Sequence, residues 1–212
     1  MSTVRIHRIA HHTTALGPGD RAVVWFQGCK RRCKGCMAPE SRPLEGGSEW
    51  DVSKLIDEIL ACRNIEGITV SGGEPFLQAE GLQEFLEGLR ARSPLGVIIY
   101  TGNTMAELRE MNDPHVNAII DSLTDILIDG EYIDELNDGG GLRGSSNQTV
   151  HFLTDRYDEY RALYGGARRD VQIMIEGDDA LMIGVPNRET LESWKKATQK
   201  IRGTAEQKAD LG

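Results

Sequence analysis

"AVVWFQGCKRRCKGC", residues 22–36, runs from an apolar stretch straight into a basic, cysteine-rich loop. Residues 22–28 are rich in β-branched and aromatic side chains and stop at Gly28, the pattern of an interior strand closed by a glycine. Cys29, Cys33 and Cys36 follow within eight positions, although the whole chain has only four cysteines. In a reducing compartment, thiols so clustered read as metal or catalytic ligands rather than disulfides.

Alternation continues downstream. Residues 51–63 show a helical apolar face of Val52, Leu55, Ile56, Ile59 and Leu60. A strand at 67–71 is followed by a helix over 79–92, buried through Leu82, Phe85, Leu86 and Leu89. Another strand spans 96–101, then two short helical pieces around 105–111 and 115–120, then strands at 125–129 and 149–153. Strands alternating with helices predict β-α units and a mostly parallel sheet, an α/β fold in a single domain. Near the end, "VQIMIE" and "ALMIGV" flank "GDD" as a hairpin, before a helix around 189–201. The core is expected over about 16–186, with 203–212 a frayed polar tail. No internal repeat or linker divides residues 1–212.

Composition narrows the classes. With 212 residues, 39% hydrophobic and 27% charged, the chain fits a soluble globular protein with a real core. A net charge of −9 argues against broad nucleic-acid binding. The start "MSTVRIHRIAHH" lacks the apolar core of a signal peptide, and no apolar run is long enough for a membrane span. The expected location is therefore the cytoplasm.

The unusual residues fall at strand ends. Cys29 follows the first strand, Gly72, Gly73 and Glu74 the second, Thr101 and Gly102 close the third, and Asp129 the fourth. Parallel α/β folds bind ligands beyond the carboxyl ends of their strands, so these groups should meet on one face. Three thiolates fit two metals. Structural zinc would take Cys62 or one of His7, His11 and His12 as fourth ligand. A [4Fe-4S] cube ordinarily takes four thiolates, so with three it keeps one iron open to a small molecule. Cys62, beside an apolar stripe, reads as a small buried hydrophobe. Lys30, Arg31, Arg32 and Lys34 would normally form a solvated face, but here they flank several thiolates and can compensate their charge.

Cys-x₃-Cys-x₂-Cys after the first strand, with Gly-Gly-Glu after the second, resembles the radical S-adenosylmethionine enzymes. "LGPGDRAVVWFQGCKRRCKGCMAPES", "VSGGEPF", "IIYTGN", "ILIDGEY" and "LRGSSNQTVHFL" narrow the resemblance to the glycyl radical enzyme activases that serve anaerobic ribonucleotide reductase. "DDALMIGVP" is similar to the C-terminal strand of that group, and Gly35 replaces the aromatic residue common in the wider superfamily.

The resemblance implies a partial (β/α) barrel of the radical S-adenosylmethionine type. It implies a [4Fe-4S] cluster on Cys29, Cys33 and Cys36 whose open iron takes the amino and carboxylate groups of S-adenosylmethionine. Gly72, Gly73 and Glu74 would receive the methionine amino group, with Thr101 and Asp129 contacting the ribose or carboxylate region. The reaction would be reductive cleavage to a 5′-deoxyadenosyl radical, which takes hydrogen from a glycine of a large partner enzyme. An electron donor such as flavodoxin or ferredoxin is implied. With Cys62 alone left over, no second cluster can be built. Residues 130–148 suit a loop that moulds to an inserted backbone, either through hydrogen bonds from Arg143, Ser145, Ser146, Asn147 and Gln148 or with those residues simply closing the sheet. A stand-alone radical enzyme acting on a peptide or small molecule is the alternative.

Overall fold

Uncharged strand-formers at 22–24, 68–70, 97–99 and 126–128 sit side by side in the middle of one sheet, each residue there fully or almost fully buried. The computed structural model describes residues 2–164, 169–176 and 179–209. Its strands are β1 (Thr3–Thr13), β2 (Arg21–Phe26), β3 (Ser48–Asp51), β4 (Gly67–Gly72), β5 (Gly96–Tyr100), β6 (Ile126–Asp129) and β7 (Thr149–Phe152). They form a seven-stranded sheet in the order β3-β1-β2-β4-β5-β6-β7. Pairings β2–β4, β4–β5 and β5–β6 are parallel, so the expected parallel sheet is its four-stranded centre. Both flanks are antiparallel.

Period-two alternation divides the core. Ala22, Val24, Ile68, Val70, Val97, Ile99 and Leu127 face the helical layer. That layer contains α1 (Val52–Ala61), α2 (Ala79–Arg92), α3 (Met105–Glu110) and α4 (Pro114–Ala118), followed by a π-helical turn at Ile119–Leu123. Val23, Ile98, Ile126 and Ile128 point the other way. Tyr157, Tyr164 (in α5, Arg161–Tyr164) and the hairpin of β8 (Val171–Glu176) and β9 (Asp179–Gly184) cover that second face. The expected 79–92 helix is found at those bounds, and the hairpin is present, although Gly177 and Asp178 of its turn lie outside the described residues.

Two differences have simple causes. The histidine-bearing segment read as polar is β1, because Val4 and Ile6 alternate inward while the intervening side chains stay more accessible. The last helix, α6 (Arg188–Ala209), continues past 201 into the expected tail. Helix-forming Ala205, Glu206, Gln207 and Lys208 follow Gly203 with no proline, so one glycine does not end it. Residues 210–212 lie outside the described residues. No described helix is long and apolar enough to cross a membrane.

At the opposite end of the parallel strands from the cysteines, a fully buried arginine ties the sheet together. Arg21 donates to Thr69 Oγ1 at 2.9 Å, to the Pro18 and Ile68 carbonyls at 3.1 and 2.6 Å, to Tyr157 Oη at 3.0 Å and to the Gly96 carbonyl at 3.0 Å. The Tyr157 hydroxyl continues to Glu66 at 3.4 Å. Arg21→Met should lower the unfolding free energy by about 3 kcal/mol or more, because buried carbonyls lose their donors, and Tyr157→Phe by about 1 kcal/mol. Urea melts of both variants check this, and an unchanged midpoint for Arg21→Met would refute the role.

Candidate functional site

The exits of β2 and β4 are laced by their main chains. Gly73 N donates to the Phe26 carbonyl at 2.8 Å and Glu74 N to the Gly28 carbonyl at 2.7 Å. Gly28 N and Cys29 N donate to the Ser41 and Arg42 carbonyls at 2.7 and 2.9 Å. Gly72 has φ +117°, and a Cβ there or on Gly73 would overlap the Phe26 or Gly28 carbonyl oxygen. The paired glycines allow the two exits to touch, which fixes where Cys29 starts.

Glu74 then crosses to the next strand. It is 4% exposed and accepts from Phe76 N at 3.1 Å, Gly102 N at 2.9 Å, and Thr101 Oγ1 at 2.9 and 3.0 Å to its two oxygens. Burial pushes its carboxyl pKa up, opposed by the Thr101, Gly102 and Phe76 hydrogen bonds and by the Arg31 charge. Each of its oxygens thus has two contacts, the single Thr101 hydroxyl proton being shared between them, and Glu74 lines the cavity. Thr101 lines it too. Asp129 does not. Its Oδ2 accepts from Met105 N at 2.6 Å and Oδ1 from Thr149 N at 3.2 Å, tying α3 and β7 to the end of β6. His151 Nε2 lies 3.0 Å from the same carboxylate without a hydrogen bond.

Cys29, Cys33 and Cys36 line that one cavity with Gly72, Gly73, Glu74, Thr101 and Gly102, so the expected strand-end residues meet there except Asp129. Burial pushes the Cys29 thiol up, opposed by the Arg31 backbone N–H. Cys33 is pushed up to about 11, first by burial and then by Glu131, whose charge and acceptance of the thiol proton both favour the protonated form. Arg31, between these cysteines, donates to Asn103 Oδ1 at 3.0 Å and Glu107 Oε2 at 2.9 Å, and lies 3.6 Å from Glu131. Of the basic run, Lys34 pairs with Glu135 at 2.7 Å, while Arg32 donates to the Cys29 and Arg31 carbonyls at 2.8 and 2.9 Å.

No three His, Cys, Asp or Glu side chains among the described residues converge on a single-ion position. Three thiols spread round a cavity suit a polynuclear cluster better than one zinc ion, which needs its ligands within about 2.3 Å. His11 and His12 contact Glu58 and Asp20 at 2.7 and 2.6 Å, and His7 contacts Gln27 at 3.1 Å. Cys62 packs half-buried against the main core, its thiol 3.7 Å from the Glu58 carbonyl, and is not part of the cavity.

Further parts of the wall come from the 130–148 loop, through Gly130, Tyr132, Gly144 and Gln148, and from Met182, Gly184, Val185 and Pro186. The predicted loop side chains bond mainly within the loop. Arg143 pairs with Asp138 at 2.8 Å, and buried Ser145 accepts from Ile133 N at 3.1 Å. Ser146 N donates to the Leu136 carbonyl at 2.8 Å. Asn147 donates to the Glu131 carbonyl at 2.8 Å, and Gln148 bridges Gly144 N at 2.6 Å and the Gly130 carbonyl at 2.7 Å. Glu131 and Tyr132, absent from the expected set, stand directly after the β6 exit, so strand-end placement could have found them.

Residues 15–151 match the family described as "4Fe-4S single cluster domain". The chain is 31% identical over 147 residues to the anaerobic ribonucleoside-triphosphate reductase-activating protein of Vibrio cholerae, covering 65% of this chain and 91% of that one. Against the protein of the same name from Salmonella typhi it is 30% identical over 160 residues, covering 71% and 99%. It is also 37% identical over 86 residues to the pyruvate formate-lyase-activating enzyme of Listeria monocytogenes, covering 38% of this chain and 35% of that protein.

Alkylation of Cys33 in metal-free protein should titrate near pH 11, because its raised pKa leaves little thiolate at neutrality. Glu131→Gln should move that curve to lower pH. Mass spectrometry of the alkylated peptide against pH reads both, and an unmoved curve would remove Glu131 from the causes.

Proposed function

We propose that this chain, which belongs to the 4Fe-4S single cluster family and is a radical S-adenosylmethionine oxidoreductase of the glycyl radical activase type, activates an anaerobic ribonucleotide reductase in the cytoplasm. On this reading the open sheet is the partial (β/α) barrel of that superfamily. The supporting observation is the shared cavity: three cysteines and the Gly-Gly-Glu exit of the neighbouring strand, laced main chain to main chain.

Cys29, Cys33 and Cys36 would hold a [4Fe-4S] cluster with one iron open to S-adenosylmethionine. Together the two groups would supply a one-electron cleavage of the sulfonium, to methionine and a 5′-deoxyadenosyl radical able to take hydrogen from a glycine of the partner reductase. The electron comes from a small carrier such as flavodoxin or ferredoxin.

The protein's own part is placement and exclusion of water. Gly72 and Gly73 bring the β4 exit against the start of the cysteine loop, where they would hold the methionine end of the ligand near Cys29. Glu74 would accept from the methionine ammonium once the shared Thr101 hydroxyl turns to a single oxygen, a charge-assisted contact of ~1.5–3 kcal/mol. Thr101 and Gly102 hold that carboxylate in place. Asp129 acts behind them by anchoring α3, while Gln148 shapes the wall of the 130–148 loop from within.

Anaerobically reconstituted protein should carry about four irons per chain, unchanged in Cys62→Ala, while loss of Cys29, Cys33 or Cys36 should abolish S-adenosylmethionine cleavage. Glu74→Gln should keep its iron and weaken S-adenosylmethionine binding about tenfold. Incubated with reductant, S-adenosylmethionine and the cognate reductase, the protein should produce a glycyl radical doublet by electron paramagnetic resonance, with matching 5′-deoxyadenosine. A partner that never acquires the doublet, while a peptide or small molecule is consumed, would replace this reading with that of a stand-alone radical enzyme.

A further inference from the structure

Arg169 lies just before β8 and beyond the 15–151 stretch that matches the family, and the chemistry above gives it no task. Its side chain is only 3% exposed. Nε donates to the Gly141 carbonyl at 3.2 Å, and Nη2 to the Gly140 and Gly144 carbonyls at 3.2 Å each and to that of Arg143. Nη1 donates to Asn137 Oδ1 at 2.6 Å and to the Pro186 carbonyl at 3.4 Å. The Asp138 carboxylate, 3.5 Å away, supplies the counter-charge.

These partners belong to two separate parts of the cavity wall. Gly144 and Pro186 both line the cavity, one from the 130–148 loop and one from the segment after β9. Asn137 extends the link, because its Nδ2 donates to Tyr132 Oη at 3.2 Å and to the Pro186 carbonyl at 3.3 Å. Tyr132 is a wall residue whose ring leaves no room for a Cβ on Gly144, Cδ2 being 2.9 Å from where that atom would stand. A guanidinium presents five N–H groups in one rigid plane, so carbonyls from both segments are satisfied together in only one arrangement. An ammonium has three rotatable donors and cannot span the set.

We propose that Arg169 is a positioning residue that fixes the Tyr132–Gly144 wall relative to the Val185–Pro186 wall and so preorganises the cavity for S-adenosylmethionine. The inference rests on the functional reading above, in which this cavity holds that ligand. The held loop contains Gly139 and Gly141 at φ +73° and +62°, residues with many alternatives once released. Without the clamp, ordering the loop would be charged against ligand binding.

The test uses reconstituted holoprotein and the Arg169→Lys, Arg169→Ala and Asn137→Ala variants, with S-adenosylmethionine as probe. Amide hydrogen exchange over residues 139–148 should accelerate in all three, while exchange in β2, β4 and β5 and the iron content stay at wild-type values. S-adenosylmethionine binding should weaken about tenfold in both Arg169 variants, and by less in Asn137→Ala. If Arg169→Ala fails to fold, the other two variants decide. Accelerated loop exchange with affinity within about twofold of wild type would show a merely structural role and overturn the proposal. Loop exchange unchanged in Arg169→Lys and Asn137→Ala would overturn the clamp itself. Failure of the wild-type holoprotein to bind S-adenosylmethionine would be a different result, removing the functional reading and this inference with it.

Discussion

The structure depends on two main-chain hydrogen bonds, from Gly73 N to the Phe26 carbonyl and from Glu74 N to the Gly28 carbonyl. In a parallel sheet adjacent strands usually part at their ends, each chain turning toward its own helix. Here the β2 and β4 exits stay together past the last sheet pair, Phe26 with Gly72. Only residues without a Cβ permit that approach. The consequence reaches both sides: Cys29 is delivered beside Gly73, and Glu74 is swung to meet Thr101, just past the end of β5. The site is thus a continuation of strand pairing by other means, with backbone bonds first and side-chain bonds after.

Electrostatics explain why an acidic chain has a cationic rim at this point. Residues 29–42 hold five basic side chains and one acidic, within a protein of net charge −9. A buried Glu74 and several potential thiolates would repel one another if they shared a cavity without compensation. Arg31 supplies it from inside the cysteine loop, and its bonds to Asn103 and Glu107 stop the guanidinium from folding away into solvent. Glu131 works in the opposite sense, favouring the protonated Cys33 thiol.

Much of this was legible in the chain. Continuous apolar runs marked the central strands, because strands covered on both faces need no alternation. The Cys-x₃-Cys-x₂-Cys and Gly-Gly-Glu spacings placed the cavity, because catalytic groups at parallel strand ends converge by topology alone. β1 was not legible: its histidines and arginines mask the inward Val4 and Ile6, and it becomes a strand by pairing with β2 and β3. Asp129 was placed correctly at a strand end, but which way a carboxylate turns there depends on backbone donors from α3 and β7. Arg169 had no signal at all, since its partners are mostly carbonyl oxygens, which every sequence possesses.

The two faces of the sheet finally explain why the cavity needs residues beyond the family-matched stretch. α1, α2 and α4 close one face with apolar side chains. The other face carries Val23, Ile98, Ile126 and Ile128, which cannot remain in water. Its cover is of two kinds. Tyr157 and Tyr164 pack over Ile98, Ile126 and Ile128, and the hairpin brings Ile183 and Val185 over Val23. Tyr100, packed against both groups, donates to the Leu142 carbonyl at 2.8 Å and still lines the cavity. The cavity lies against the part of this face that neither cover fills, between the hairpin and the 130–148 loop. Hydrophobic burial fixes where those two elements sit, and the polar bonds between them fix the gap.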